Sequence, residues 1–191
     1  KNSHNGVVPI NANLIAGLKK QYKIGLGYGT DTGPRLSAKI TNNYISKNGH
    51  TVYSSIQFSK PSKNITIGYN IPGALPDREQ YTLAAGYTNI IQDTGTSNGV
   101  KISGIFTYNR EKLKRFFSIN ALREDYNLSS PKVKANSKMV YFSTGISYIK
   151  ADNNISPSNG YRIKAEINGT INPLSNQDGF TQLLLSSHYI H

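Results

Sequence analysis

Cysteine and tryptophan are missing from the 191 residues, and methionine occurs once. Without cysteine the chain forms no disulfide and no thiolate metal site. That suits a protein which crosses an oxidising compartment. No apolar run approaches the ~18 residues of a transmembrane helix, and helical periodicity is lacking throughout. The opening Lys1-Asn2-Ser3-His4 has no apolar stretch behind it, so a secretory leader is not expected in this stretch: either it is a mature form or the start has been cut away. Acidic residues are scarce, 10 against 22 Lys and Arg, for a net charge of +12. The lysines are scattered, many in expected turns (Lys47, Lys60, Lys63, Lys112, Lys114), and no nucleic-acid motif accompanies them. A nucleic-acid binder gathers its cations on one face among stacking aromatics, so no nucleic-acid partner is expected. The four histidines, His4, His50, His188 and His191, lack metal-ligand spacing. Glu124 and Asp125 are chain neighbours that a strand points to opposite faces. No catalytic residue, cofactor or metal is expected, and the chain is not read as an enzyme.

What is present is alternation with a period of two. It predicts ten strands, near 22–30, 35–45, 51–59, 64–71, 80–92, 99–110, 115–126, 138–150, 160–171 and 180–190. Turn residues separate them: Asp31-Thr32-Gly33-Pro34, Lys47-Asn48-Gly49, Lys60-Pro61-Ser62, Pro76-Asp77, Ser97-Asn98-Gly99 and Ser156-Pro157-Ser158-Asn159-Gly160. Such residues supply positive or preset φ for tight reversals, and strands joined this way form an antiparallel meander. One face is apolar, as in Tyr22, Ile24, Leu26, Tyr28 or Ile65, Ile67, Tyr69, Ile71. The other carries Gly, Ser, Thr, Asn and, by this reading, every charge in a strand interior: Lys23, Arg35, Lys39, Lys101, Arg162, Lys164, Glu166.

Two architectures produce this pattern. A soluble sandwich buries the apolar face, whereas a membrane barrel turns it to lipid and the polar face to a wet lumen. Three features favour the barrel. Tyrosines recur at the ends of the apolar face (Tyr22, Tyr28, Tyr44, Tyr69, Tyr81, Tyr108, Tyr148, Tyr161, Tyr189), as in an aromatic girdle. Several strands approach the ~9–11 residues that cross a bilayer. The polar face has the small, hydrophilic composition of a lumen. The expected fold is therefore all-β, an antiparallel transmembrane β-barrel meander of about ten strands.

The stretch Tyr22-Lys23-Ile24-Gly25-Leu26-Gly27-Tyr28-Gly29, followed by Thr30-Asp31-Thr32-Gly33-Pro34-Arg35, resembles the opening strand and loop of barrels in the BamA/TamA outer-membrane assembly superfamily, of the TamA type. Asn48-Gly49-His50 is similar to that family's first periplasmic turn, Tyr69-Asn70-Ile71-Pro72 to the end of its fourth strand, and Glu79-Gln80-Tyr81 to the start of its fifth. Val8-Pro9-Ile10-Asn11-Ala12-Asn13-Leu14 resembles the last strand of a final POTRA domain. The resemblance implies two parts: residues 1–20 as the end of a periplasmic POTRA domain with its linker, and 21–191 as the first part of a sixteen-stranded parent barrel. The family's Arg-Gly lumen loop and closing strand have no counterpart here.

It further implies a bacterial outer-membrane location and the insertion or export of β-barrel and autotransporter clients. Those clients pair with a lateral-gate strand, residues 22–29. The implied partners are outer-membrane lipid and lipopolysaccharide, unfolded outer-membrane or autotransporter proteins, and a TamB-like inner-membrane-anchored protein. Gly25, Gly27 and Gly29 by themselves favour room for a plug or sheet curvature, and are compatible with the deliberately weak edge strand that the resemblance implies. Loop residues Thr30, Asp31, Gly33, Pro34 and Arg35 read as a well-formed turn. The resemblance adds that Arg35 meets a lumenal acid. Arg162, Lys164 and Glu166 read as a hydrated lumen network. A soluble β-sandwich binding module, and a small ten-stranded pore or enzyme, remain the alternatives at this point. Edge strands 22–29 and 180–190 are expected to lack partners and to be prone to aggregate.

Overall fold

The computed structural model describes residues 17–129, 133–152, 158–171, 174–176 and 179–190. Its strands are β1 (Lys20–Gly29), β2 (Gly33–Asn42), β3 (Thr51–Phe58), β4 (Ser62–Pro72), β5 (Glu79–Gln92), β6 (Gly95–Arg110), β7 (Leu113–Leu128), β8 (Val133–Ala151), β9 (Gly160–Thr170) and β10 (Thr181–Ile190). They make one ten-stranded sheet in chain order. Every neighbouring pair is antiparallel. The expected meander therefore forms, strand for strand. The POTRA-like reading of Val8–Leu14 and the expected turn residues Ser156 and Pro157 lie outside the described residues, as do His4 and His191.

Several boundaries differ from expectation. Ser97-Asn98-Gly99 is strand, not turn: Ser97 pairs with Ile90 and Gly99 with Thr88. The reversal falls at Asp93-Thr94 instead. A Cβ on Gly95 would collide there with the Asn127 carbonyl oxygen, so the glycine that matters for this reversal is Gly95 rather than Gly99. Lys63 and Lys114 are strand residues of β4 and β7. Tyr44 falls beyond β2 with φ 59°, outside the apolar face.

Burial is the inverse of a water-soluble domain. Among the described residues no hydrophobic side chain is buried, whereas Ser103, Ser118, Asn120, Ser137, Ser143 and Asn168 are. Ile24, Leu26, Ile67, Leu83, Ile102, Ile119, Ile163 and Leu185 stand exposed on the opposite face. A sandwich would cover that face with a second sheet, and among the described residues there is one sheet.

The apolar band runs obliquely across the strands. From Tyr22 the ladder passes through Ile40, Ser54, Ile67, Ala85, Ile102 and Ala121 to Val140. Tyr22 lies near the start of β1 and Tyr148 near the end of β8, on the same rim of an alternating meander. If both mark one interface, the band slips eight residues, from 140 to 148, over seven strand steps. At ~3.3 Å per residue and ~4.8 Å between strands that is a tilt of roughly 38°, inside the range for closed barrels. On the apolar side the band is bordered by Lys20, Glu79, Arg110 and Lys150 along the Tyr148 rim, and by Lys63, Asn89, Arg123 and Lys138 along the other. Arg115, Arg123, Asp125 and Lys138 correct the expectation that strand charges keep to the polar face. β6, β7 and β8 have 16, 16 and 19 residues, longer than the band is wide, so their ends leave it.

Candidate functional site: the open edge of the first strand

β1 pairs with β2 from Lys20↔Asn42 to Gly29↔Gly33 and, among the described residues, with no other strand. The next pair in that register, Lys19 and Asn43, is hydrogen-bonded: the Asn43 N–H donates to the Lys19 carbonyl at 2.7 Å. Hydrogen-bonded and non-bonded pairs alternate along an antiparallel ladder. Gln21, Lys23, Gly25, Gly27 and Gly29 therefore spend their backbone groups on β2. Lys20, Tyr22, Ile24, Leu26 and Tyr28 direct theirs to the open edge. Those five also carry their side chains on the apolar face. Tyr22, Ile24, Leu26 and Tyr28 are among the most exposed hydrophobics, at 64–83%. The far side of the sheet ends alike. The Thr170 N–H donates to the Phe180 carbonyl at 3.0 Å, so Thr181, Leu183, Leu185 and Ser187 face away from β9.

The three β1 glycines differ. A Cβ on Gly25 would lie 2.6 Å from the Ser37 hydroxyl, and one on Gly29 would lie 2.6 Å from the Thr32 hydroxyl. Gly27 is open, with Arg35 Cβ the nearest atom at 4.0 Å. Two of the three thus relieve crowding against β2 and its loop, while Gly27 only weakens the strand.

Thr30, Asp31 and Thr32 form the β1–β2 turn, and Gly33 completes it at φ 66°. Pro34 stands opposite Tyr28. Arg35 lies on the polar face; its Nε donates to Thr32 Oγ1 at 2.7 Å and its Nη2 lies 3.9 Å from Asp31. Among the described residues, the acid it meets is in its own loop. Lys164 and Glu166 pair at 2.7 Å, and Arg162 alternates with them on the same strand.

Sequence reasoning missed the polar-face network further along. The Ser103 hydroxyl donates to Asn120 Oδ1 at 2.8 Å, and Asn120 Nδ2 donates to Ser118 Oγ at 3.1 Å. Ser97 bonds Glu124. Lys101 lies over the Tyr141 ring at 5.3 Å. Aromatic rings cover glycines on this face: Tyr53 over Gly68 and Phe116 over Gly145. Glycine beneath a ring leaves room for it, a pairing that periodicity does not reveal. At the rim, Tyr69 Oη and His50 Nδ1 are 2.6 Å apart. Asp77, with help from Tyr108, holds the Arg78 guanidinium above its ordinary pKa. These tyrosines keep their hydroxyls against polar loops, as girdle residues do.

No family model matches the sequence. Among solved structures, the fold matches the crystal structure of BamA from Haemophilus ducreyi lacking POTRA domains 1–3, with a TM-score of 0.78 at 14% identity. The match covers 88% of this chain and 37% of that one, so this chain spans little more than a third of the length of the chain it matches. The fold is that of part of a BamA-type barrel.

Proposed function

We propose that the chain is the leading part of an outer-membrane assembly barrel, whose apolar face meets lipid and whose first strand receives strands of client proteins. The observation that carries this reading is the open edge of β1. It offers a row of backbone donors and acceptors at Lys20, Tyr22, Ile24, Leu26 and Tyr28, flanked by lipid-compatible side chains. In hydrocarbon each unsatisfied backbone group costs several kcal/mol, so such an edge demands a partner strand. A partner held only by this glycine-bearing strand is exchangeable, and a client strand replaces it by β-augmentation. The work is strand exchange, with no catalytic group, cofactor or metal.

The finer assignment rests on the string Gly25-Leu26-Gly27-Tyr28-Gly29-Thr30-Asp31-Thr32-Gly33-Pro34-Arg35. It makes the parent a TamA-type barrel with autotransporter clients, a POTRA domain leading into residue 20, and a TamB-like partner. Insertion itself belongs to the whole parent barrel.

Cross-linking tests the proposal. Single cysteines at Ile24, Leu26 and Tyr28 of the parent barrel, in proteoliposomes, are expected to form disulfides with cysteines placed along one strand of an unfolded outer-membrane client. Their register should step by two residues. Adducts of equal yield from Leu83 in mid-sheet, or none from β1, would overturn it.

A further inference from the structure

We infer that Arg123 and Lys138 form a binding site for the phosphate of a membrane lipid, on the apolar side of β7 and β8 at the border of the apolar band. The inference rests on the reading that this face meets lipid.

Arg123 and Lys138 are direct cross-strand partners. Like charges placed opposite each other in a sheet are destabilising unless something neutralises them. Internal neutralisation is incomplete. Asp125 Oδ2 lies 3.4 Å from Arg123 Nε. Among the described residues Lys138 has no carboxylate within ion-pair distance. Both cations are exposed, Arg123 at 62% of its side chain.

Their position supplies the second argument. The ladder Ile24, Ala38, Ile56, Ile65, Tyr87, Val100 is apolar for six strands and then ends in Arg123 and Lys138. Two residues inward on the same strands are Ala121 and Val140, also opposite each other and apolar. Two residues outward are Asp125 and Asn136. A lipid lying along this face would put its acyl chains on Ala121, Val140 and Ile102, and its headgroup at the two cations. A phosphate offers acceptors to a guanidinium and an ammonium together.

The backbone beneath is held in place. β9 stops at Thr170, and the following connection takes over its edge: Lys138 N–H donates to Asn176 Oδ1 at 2.6 Å, and Val140 N–H to Ser175 Oγ at 3.2 Å. Asn176 N–H returns a bond to the Lys138 carbonyl at 3.0 Å. Lys138 is therefore anchored on both backbone groups while its side chain remains available. If β1 runs outward from the periplasm, this rim is the outer leaflet, and the ligand is a phosphorylated glycolipid of that leaflet.

Native mass spectrometry of the detergent-purified protein tests this. Probes are bisphosphorylated lipid A, its dephosphorylated form, phosphatidylglycerol and inorganic phosphate. The unmodified protein should retain lipid A in preference to the dephosphorylated form. Arg123→Gln/Lys138→Gln should bind it about thirty-fold more weakly, at the usual worth of two cations near a lipid surface. Arg123→Lys/Lys138→Arg should restore binding, and Lys112→Gln, in the turn at the opposite rim, should leave it unchanged. Preference for phosphatidylglycerol over lipid A would overturn the outer-leaflet assignment. Full competition by millimolar inorganic phosphate would overturn the lipid source. Equal lipid A binding by the double glutamine variant and the unmodified protein would overturn the site. Liposome flotation of each variant separates the two claims: a protein that never floats defeats the membrane reading, while one that floats with unchanged lipid selectivity defeats only this site.

Discussion

Single side chains report which face is wet. Ile67 is 56% exposed on the apolar face, and its chain neighbour Thr66 lies on the polar one. Ile67→Arg is expected to destabilise the folded state in lipid vesicles by about 2–4 kcal/mol, the usual penalty for a cation at mid-bilayer. Thr66→Arg, with its charge in a wet lumen, should cost well under that. Urea titration in vesicles reads both values, and equal costs would contradict the facing. Asn120 is 3% exposed and joins Ser103 and Ser118 through its two amide atoms. Asn120→Ala leaves two hydroxyls short of partners and is expected to cost about 1–3 kcal/mol in the same titration. Gly145 gives a third case. A Cβ there would sit 2.5 Å from Phe116 Cε1 and 3.0 Å from the Ala165 carbonyl oxygen. Gly145→Val should lower folding yield, and Gly145→Val/Phe116→Ala should recover part of it. The need for glycine here was illegible in the sequence, because the ring that covers it comes from another strand.

At the scale of the element, β1 is legible in its own residues: the strand, its faces and its glycine side follow from alternation alone, while its bounds, Lys20–Gly29, lie one to two residues ahead of the expected 22–30. Which backbone groups stay open did not follow, because that depends on the phase of hydrogen bonding with β2, fixed by the Asn43–Lys19 pair. Gly27→Val is the informative change here, since space for the side chain exists. It is expected to stabilise the strand by up to about 1 kcal/mol, as β-branched residues do, and to slow client insertion by the parent barrel in proteoliposomes. A faster rate would contradict the weak-edge account. The strand ends were less legible. Ser97-Asn98-Gly99 has the composition of a turn, yet long-range pairing with both β5 and β7 carries it into β6. Arg123 and Lys138 sit at the border of the apolar band, which alternation alone does not mark. Among the described residues the ion-pair partner of Arg35 is Asp31, four residues back in the loop.

At the scale of the whole molecule, periodicity fixes the class of fold and the faces, while the meander order follows from short turns. What separates a lipid-facing sheet from half of a sandwich is burial: polar side chains packed, apolar ones bare, and a band whose Tyr22–Tyr148 border slants as strands tilt in a barrel. β1 and β10 end the sheet without pairing to each other among the described residues. The measurement that bears most directly on the lipid-facing claim is a spin-label scan. The native chain has no cysteine, so single cysteines introduced at each residue from Tyr81 to Thr88 of β5 can be labelled cleanly in bilayers. The account predicts period-two accessibility: Tyr81, Leu83, Ala85 and Tyr87 open to dissolved oxygen and closed to a water-soluble nickel reagent, with Thr82, Ala84, Gly86 and Thr88 the reverse. Access of the nickel reagent to Leu83 and Ala85 equal to that at Ala84 would contradict it.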